Sequence, residues 1–578
     1  MRDRASMFSR RNRLCLLTCI LVGFNANAIA ATAIIGPPIQ VGQTGVAVPD
    51  PYVPVPPTQP CVVNLYAAGS TTGTFDDYAN HAFAYTPPAS CPGPWNKVVF
   101  KADFNVTTGT QFDRTAALWI GGVNLYFGTT QEPRSTVSPS WHVERDVTDL
   151  SAALAAAHPG SVAVYNIYND TYNGSITGAA ELDFYPATSA YPAAKTPDLV
   201  LPMIADAAGT YAYINTNGDP LARSFSLPGN VERAYLEVTA EPQSGDEFWY
   251  ACGPDAYIDY TGCGGTGFRE TEIAIDGRHA GIAPVSGWVY TGGIDPYLWR
   301  PIPGVQTLNF LPYRVDLTPF VALLDNGKAH AVAVRVVNGD PHFQNNSQYF
   351  ATAANLLLYL DPGSTHITGQ VQQPNDSGVH PSVQSSASGD GSQVKFNVLS
   401  RHTLTTNGTA NTSHGVVTTN VQQALSFDND QTVIATDTVY DQSITQTSIA
   451  SSTSSSSGGS TAPTVDVRNW SFPLHMDIDY VVAEDGSATQ ATTANQGFNL
   501  ATSHNGPDGT FTSTRSQRAA PADTLNFDAG GNFTGPTGQK STESYYYRDS
   551  SGACYSRAVS AAAGAVTAVS NGVGCSGQ

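Results

Sequence analysis

Charged side chains are scarce in this chain. Asp, Glu, Lys and Arg make up 13% of its 578 residues, about half the usual share. Surface helices draw heavily on Lys, Glu and Arg, so a helical protein is disfavoured. Strands and turns are favoured instead, for which Gly, Thr, Ser, Asn and Tyr are abundant. Cations are the scarcer half: 27 Lys and Arg against 47 Asp and Glu give a formal net charge of -20. A surface of that sign repels phosphates, which argues against nucleic acid as a partner. It repels itself least in mild acid, which is compatible with an acidic working environment. Beyond the N-terminus no segment approaches 18 apolar residues, so no membrane span is expected. The G-x-S-x-G elbow, the H-E-x-x-H zinc helix, the phosphate loop and the dinucleotide fingerprint are all absent. Zinc-type C-x-x-C spacing is absent too, and neither metal nor cofactor is expected.

What is present begins with an export signal. Arg2, Arg4, Arg10, Arg11 and Arg13 precede a short apolar run, Leu14 to Phe24, and Ala26-Asn27-Ala28 offers a cleavage site. A secreted or periplasmic protein is expected, with residues 1–28 removed. Six cysteines remain, as the close pairs Cys61 and Cys91, Cys252 and Cys263, and Cys554 and Cys575. Local disulfides suit an oxidising compartment and leave no thiol nucleophile.

Residues 29–60 form a proline-rich lead-in. From 61 to 190, and again from 191 to 362, short apolar stretches alternate with turn signals, and only Leu150 to His158 looks helical. An all-β chain of two consecutive jelly rolls or β-sandwiches is the natural reading. The phrases Asp146-Val-Thr-Asp-Leu150 and Asp316-Leu-Thr-Pro-Phe320 hint at two copies of one plan. Residues 363–578 turn to Ser, Thr, Gln and Asn. They are expected to form a β-rich accessory domain, with Ser451 to Ser460 as a flexible loop.

With thiols paired, carboxylates are the most plausible catalysts. Asp113-Arg114 stands at the mouth of an apolar strand, where its spacing alone favours a structural ion pair. Glu132-Pro133-Arg134 and Trp141-His142-Val143-Glu144-Arg145-Asp146 form a second run, in which His142 reads as a packed or hydrogen-bonded histidine. Asp246-Glu247-Phe248-Trp249-Tyr250 places acid among aromatics, which suits sugar recognition as well as it suits a core strand. Glu270 and Glu272, two apart on a strand, share one face, and exposure is the simpler expectation for both.

Taken together and in order, five stretches resemble the plant and fungal peptide-N-glycosidase A family: FDRTAALWIGGVNLYFGTTQEP (112–133), SWHVERDVTDLSA (140–152), DEFWY (246–250), YTGGIDPYLWRPIPG (290–304) and YYYRDSSGACYSR (545–557). A more distant resemblance is to bacterial peptide-N-glycosidase F, two eight-stranded jelly rolls with the active site at their junction. Its catalytic aspartate lies in WDRYANVYV, similar to FDRTAALWI here. The resemblance implies an amidase acting on N-linked glycopeptides or glycoproteins, and a monomer is expected. It implies Asp113 as catalyst with Arg114 beside it, and Glu247 as the second acid with Glu270 as fallback. Substrate contacts are expected from Trp249, Trp141, Asn166 and Asn169. Where the relative has another glutamate, this chain has Asn166 and Asn169, so a third acidic role is unassigned. A glycoside hydrolase and a silent glycan-binding protein are the rival readings.

Overall fold

The computed structural model describes residues 45–338 and 348–575. The expected export signal and the start of the lead-in lie outside them. Residues 45–60 of the lead-in contain no strand, and regular pairing begins at Cys61–Tyr66.

The first half is two antiparallel sheets face to face. One runs Cys61–Tyr66, Ile176–Pro186, Trp95–Val106, Ser140–Asp146, and the other runs Asn80–Tyr85, His158–Val164, Thr115–Ile120, Val123–Thr129. The second half does the same with Leu199–Pro202, Gln348–Leu360, Val231–Ser244, Tyr313–Asp316 and with Leu221–Ser226, Ala329–Asn338, Arg269–Ile275, Arg278–Pro284. Setting aside the short additions Thr74–Phe75 and Ala212–Ile214, both halves have the strand order 1-8-3-6 against 2-7-4-5.

The recurring phrase marks the same corner in each half. After the sixth strand the Asp146 side chain accepts the Thr148 N–H at 3.0 Å, and Asp316 accepts the Thr318 N–H at 2.9 Å. Each carboxylate closes a turn that a short 3-10 helix continues, Thr148–Leu150 or Thr318–Phe320. The helix expected over Leu150 to His158 shrinks to Ser151–Leu154, because strand His158–Val164 begins there.

The third region is a 13-stranded antiparallel sheet whose longest strand, Thr461–Val482, has 22 residues, roughly 70 Å of extended chain. Inward residues such as Trp470, Leu474, Met476 and Phe498 join one continuous core with Val315, Leu317 and Ile282 of the second sandwich. The sheet therefore covers the second sandwich instead of standing apart. The serine tract is not a loop: Ser451 to Ser457 lie within strand Val439–Gly458, and Ser451 to Ser456 are paired on both sides. Backbone hydrogen bonds to two neighbours outweigh a linker-like composition, and Ser454 Oγ donates to Asp316 Oδ2 at 2.6 Å. All three disulfides, Cys61–Cys91, Cys252–Cys263 and Cys554–Cys575, are formed. Among the described residues no helix is long and apolar enough to cross a membrane.

Candidate active site

Where the two sandwiches meet, a small apolar cluster joins Trp119 and Phe127 of the first to Tyr211, Tyr290 and Phe310 of the second. Beside it lies a pocket of about 100 Å³, lined by Asp113, Arg114 and Thr115 from one side and by Gln243, Glu247 and tyrosines from the other. A larger cavity of about 570 Å³ opens elsewhere, between the lead-in, both sandwiches and the C-terminal sheet. It contains neither Asp113 nor Glu247.

Asp113 ends the segment that enters strand Thr115–Ile120. Its neighbour is fixed at both ends of its side chain and backbone. The Arg114 N–H donates to Thr130 Oγ1 at 2.8 Å, and Nη2 and Nε donate to Gln111 Oε1 at 2.6 Å and Asn166 Oδ1 at 3.2 Å. Asn166, buried, in turn donates to the Phe75 carbonyl. Its role is thus to aim Arg114. Asp113 Oδ2 has no protein partner. Burial pushes the Asp113 carboxyl up to about 6, against the opposing pull of the Gly292 N–H and of Arg114.

Two more acids converge on Asp113. Glu132 accepts from Arg300 Nη2 at 2.9 Å. Burial pushes it up to about 7 despite Arg300, and the charge of Asp113 adds to the rise. Gly292 lies between the two: a Cβ there would sit 2.3 Å from Glu132 Oε1 and 2.8 Å from Asp113 Oδ1. Only glycine lets the backbone N–H approach so closely. Glu247 sits on the turn after strand Val231–Ser244, its N–H donating to the Ser244 carbonyl at 3.1 Å. Next to it Asp246 is held by Arg269 at 2.7 Å. Burial, then Asp113, then Glu132 push Glu247 well above the ordinary carboxylate range. Behind the pocket wall Glu241 is also pushed well up by burial, and its Oε1 lies 3.4 Å from Thr115 Oγ1.

Three expected catalytic residues, Asp113, Arg114 and Glu247, are therefore brought together, and Asn166 supports them. The other expected contacts are elsewhere. Trp249 is fully buried, with its ring near Phe427 of the C-terminal sheet, and Trp141 stacks on Phe104 in the first core. Neither offers a ring face to a sugar. Asn169 is exposed and caps its own turn, accepting from the Thr171 and Tyr172 N–H groups. Glu270 is not exposed and not at the pocket: it pairs with His402 of the C-terminal sheet. Glu272, also covered, pairs with Arg335 at 2.7 Å. His142 is the hydrogen-bonded histidine expected, 2.9 Å from Asp103 Oδ1.

What sequence reasoning missed is the role of Glu132, the presence of Glu241 and the wall of tyrosines. Glu132 stood inside the longest motif, but nothing in its spacing put it against Asp113. Tyr78 stacks on Tyr165 at 4.6 Å on one side of the mouth, and Tyr213 meets Tyr349 edge-on at 5.4 Å on the other.

Residues 72–377 match the family model described as peptide N-acetyl-beta-D-glucosaminyl asparaginase amidase A. The chain is similar to the peptide-N4-(N-acetyl-beta-glucosaminyl)asparagine amidase A of Prunus dulcis, 27% identical over 542 residues, with 88% of this chain and 89% of that protein covered. Among solved structures it is similar to recombinant N-glycanase F, at 16% identity and a TM-score of 0.35. A glycosylasparaginase from Flavobacterium meningosepticum gives 15% and 0.35. Each covers 52% of this chain and 96% of the solved one.

Proposed function

The chain belongs to the peptide N-acetyl-beta-D-glucosaminyl asparaginase amidase A family, and on that premise we propose that it is an exported amidase that cuts N-linked glycans from asparagine. The observation that supports this most is the meeting of Asp113, Glu132 and Glu247, contributed by both sandwiches, in one half-buried place beside Arg114. Three carboxyls so placed cannot all ionise. Asp113 lies nearest to Arg114 and the Gly292 N–H and ionises first. Glu247, raised well above the ordinary carboxylate range by burial and by both neighbouring acids, keeps its proton. That difference supports Asp113 as base and Glu247 as acid.

In the reaction, water loses a proton to Asp113 as its oxygen bonds to the asparagine side-chain carbon. Arg114, aimed by Gln111 and Asn166, stabilises the negative charge gathering on the amide oxygen. Glu247 gives its proton to the leaving nitrogen as the carbon–nitrogen bond breaks. The products are aspartate in the peptide and a glycosylamine, with no metal or cofactor in the scheme. The tyrosine pairs at the mouth present ring faces of the kind on which pyranoses stack. The three disulfides fit the proposed export.

The test is mass spectrometry of a glycopeptide after incubation. Conversion of the glycosylated Asn to Asp is expected. A sugar stub left on Asn would make the protein a glycosidase, and an unchanged peptide that still binds would make it a lectin.

A further inference from the structure

The loop that brings Gly292 to Asp113 is strained. Two residues on, Ile294 has φ +65°, a left-handed conformation that a β-branched residue adopts only when its surroundings impose it. Part of the restraint is local: the Asp295 N–H donates to the Gly293 carbonyl at 2.7 Å, and Trp299 Nε1 donates to the same carbonyl at 2.9 Å. The rest comes from the C-terminal sheet. Asp295, fully buried, places its carboxyl against that of Asp523 on strand Ala522–Phe527, itself 5% exposed.

The two carboxyls lie within hydrogen-bonding reach of each other, and a bond between them requires a shared proton. Asp295 Oδ1 accepts the Tyr297 N–H at 2.8 Å, while Asp295 Oδ2 and both Asp523 oxygens are buried with no donor group of the protein bonded to them. The charged and titratable groups around the pair are few. Asp523 faces Asp295, and Asp295 faces Asp523, Tyr297 and Arg300. Arg300 is engaged by Glu132 and lies over the Tyr297 ring at 4.8 Å.

We propose that Asp523 is a positioning residue for the amidase site: by sharing a proton with Asp295 it fastens the strained turn at Ile294 and so holds the Gly292 N–H against Asp113. This rests on the amidase reading. Burial and the second carboxyl push Asp523 up to about 9, so the shared proton persists through neutral pH and is lost in alkali. Two adjacent buried carboxylates then repel, the turn relaxes, and Asp113 loses a donor that favours its ionised form.

The experiment compares the full chain with Asp523→Asn and Asp523→Ala, measuring kcat/KM on a glycopeptide from pH 5 to 10. The Asn variant supplies a fixed amide proton. Its activity at pH 5 is expected within about threefold of the parent, and its alkaline limb about one pH unit higher. The Ala variant is expected to lose about tenfold at pH 5, because the turn is no longer held. An Asn variant whose alkaline limb superimposes on the parent's, or an Ala variant with full activity at pH 5, overturns the proposal. Asp295→Asn carries the same test if Asp523→Asn does not fold. Should the parent prove inactive on glycopeptides, the amidase reading fails, and thermal unfolding judges the latch alone. The parent is then expected to lose more Tm between pH 5 and 9 than Asp523→Asn, and equal losses overturn it.

Discussion

Two of the acid clusters in this molecule differ in what surrounds their carboxyls. Around Asp113, three carboxyls meet with Arg114 and Arg300 as the cations beside them, and burial raises all three. Where strand Gln393–Thr412 of the C-terminal sheet meets the second sandwich, Glu270 and Asp376 have histidines beside them. His402, fully buried, lies 2.5 Å from Glu270 Oε1 and 2.7 Å from Asp376 Oδ1. Burial alone would lower the imidazole, but its two carboxylate partners push it up to about 9. Burial raises Glu270, and His402 offsets part of that rise. Asp376 stays below the ordinary range, because the Gly378 N–H, His402 and His279 together outweigh its burial. The first cluster holds acids of raised proton affinity, and the second is a staple. Burial is common to both, and the count of cations separates them.

The largest effect expected from this contrast is at Asp113. Asp113→Asn removes a charge from a crowded site, so turnover should fall by at least ~100-fold while the melting temperature holds or rises. Full activity in the folded variant would move the base elsewhere. Next comes the staple. His402→Ala leaves Glu270 buried without its cation and should cost about 3 kcal/mol of stability, with activity per folded molecule retained. A drop in kcat at unchanged stability would mean that the two clusters communicate.

A smaller effect joins both regions through pH. Asp113, Glu132, Asp325 and Asp523 bind protons more tightly folded than unfolded, and so does His402. Raised acids and a raised histidine have the same sign: each contributes stability in acid that is lost as pH climbs through the folded value. Acids held low, such as Asp361 and Asp376, act only below their ordinary value. The melting temperature should therefore fall between pH 5 and pH 9, by on the order of 5 °C. A flat or rising profile would show that these acids are solvated in solution.

Much of the architecture was legible along the chain. A shortage of charge with abundant Thr, Tyr and Gly foretold strands, and the Asp-x-Thr phrase marked the same turn in both sandwiches, since an aspartate that accepts the N–H two residues on is a local event. That Asp113, Arg114 and Glu247 meet at one pocket was legible only through the likeness of whole motifs, because their spacing favoured a plain ion pair.

Which face of a strand another layer covers is not written locally, and there the reading failed. Trp249, Trp141 and Glu270 looked available to a sugar until the cores and the C-terminal sheet closed over them. The serine tract looked like a linker because its composition says nothing about the two strands that pair with it. Glu132 reaches Asp113 only because a glycine 160 positions later lets the backbone pass between them. Local turns and strand propensity depend on neighbours in sequence, and the chain determined them by itself. Proton affinity depends on charges and burial contributed by distant segments, so only the tertiary structure decided which acids hold their protons.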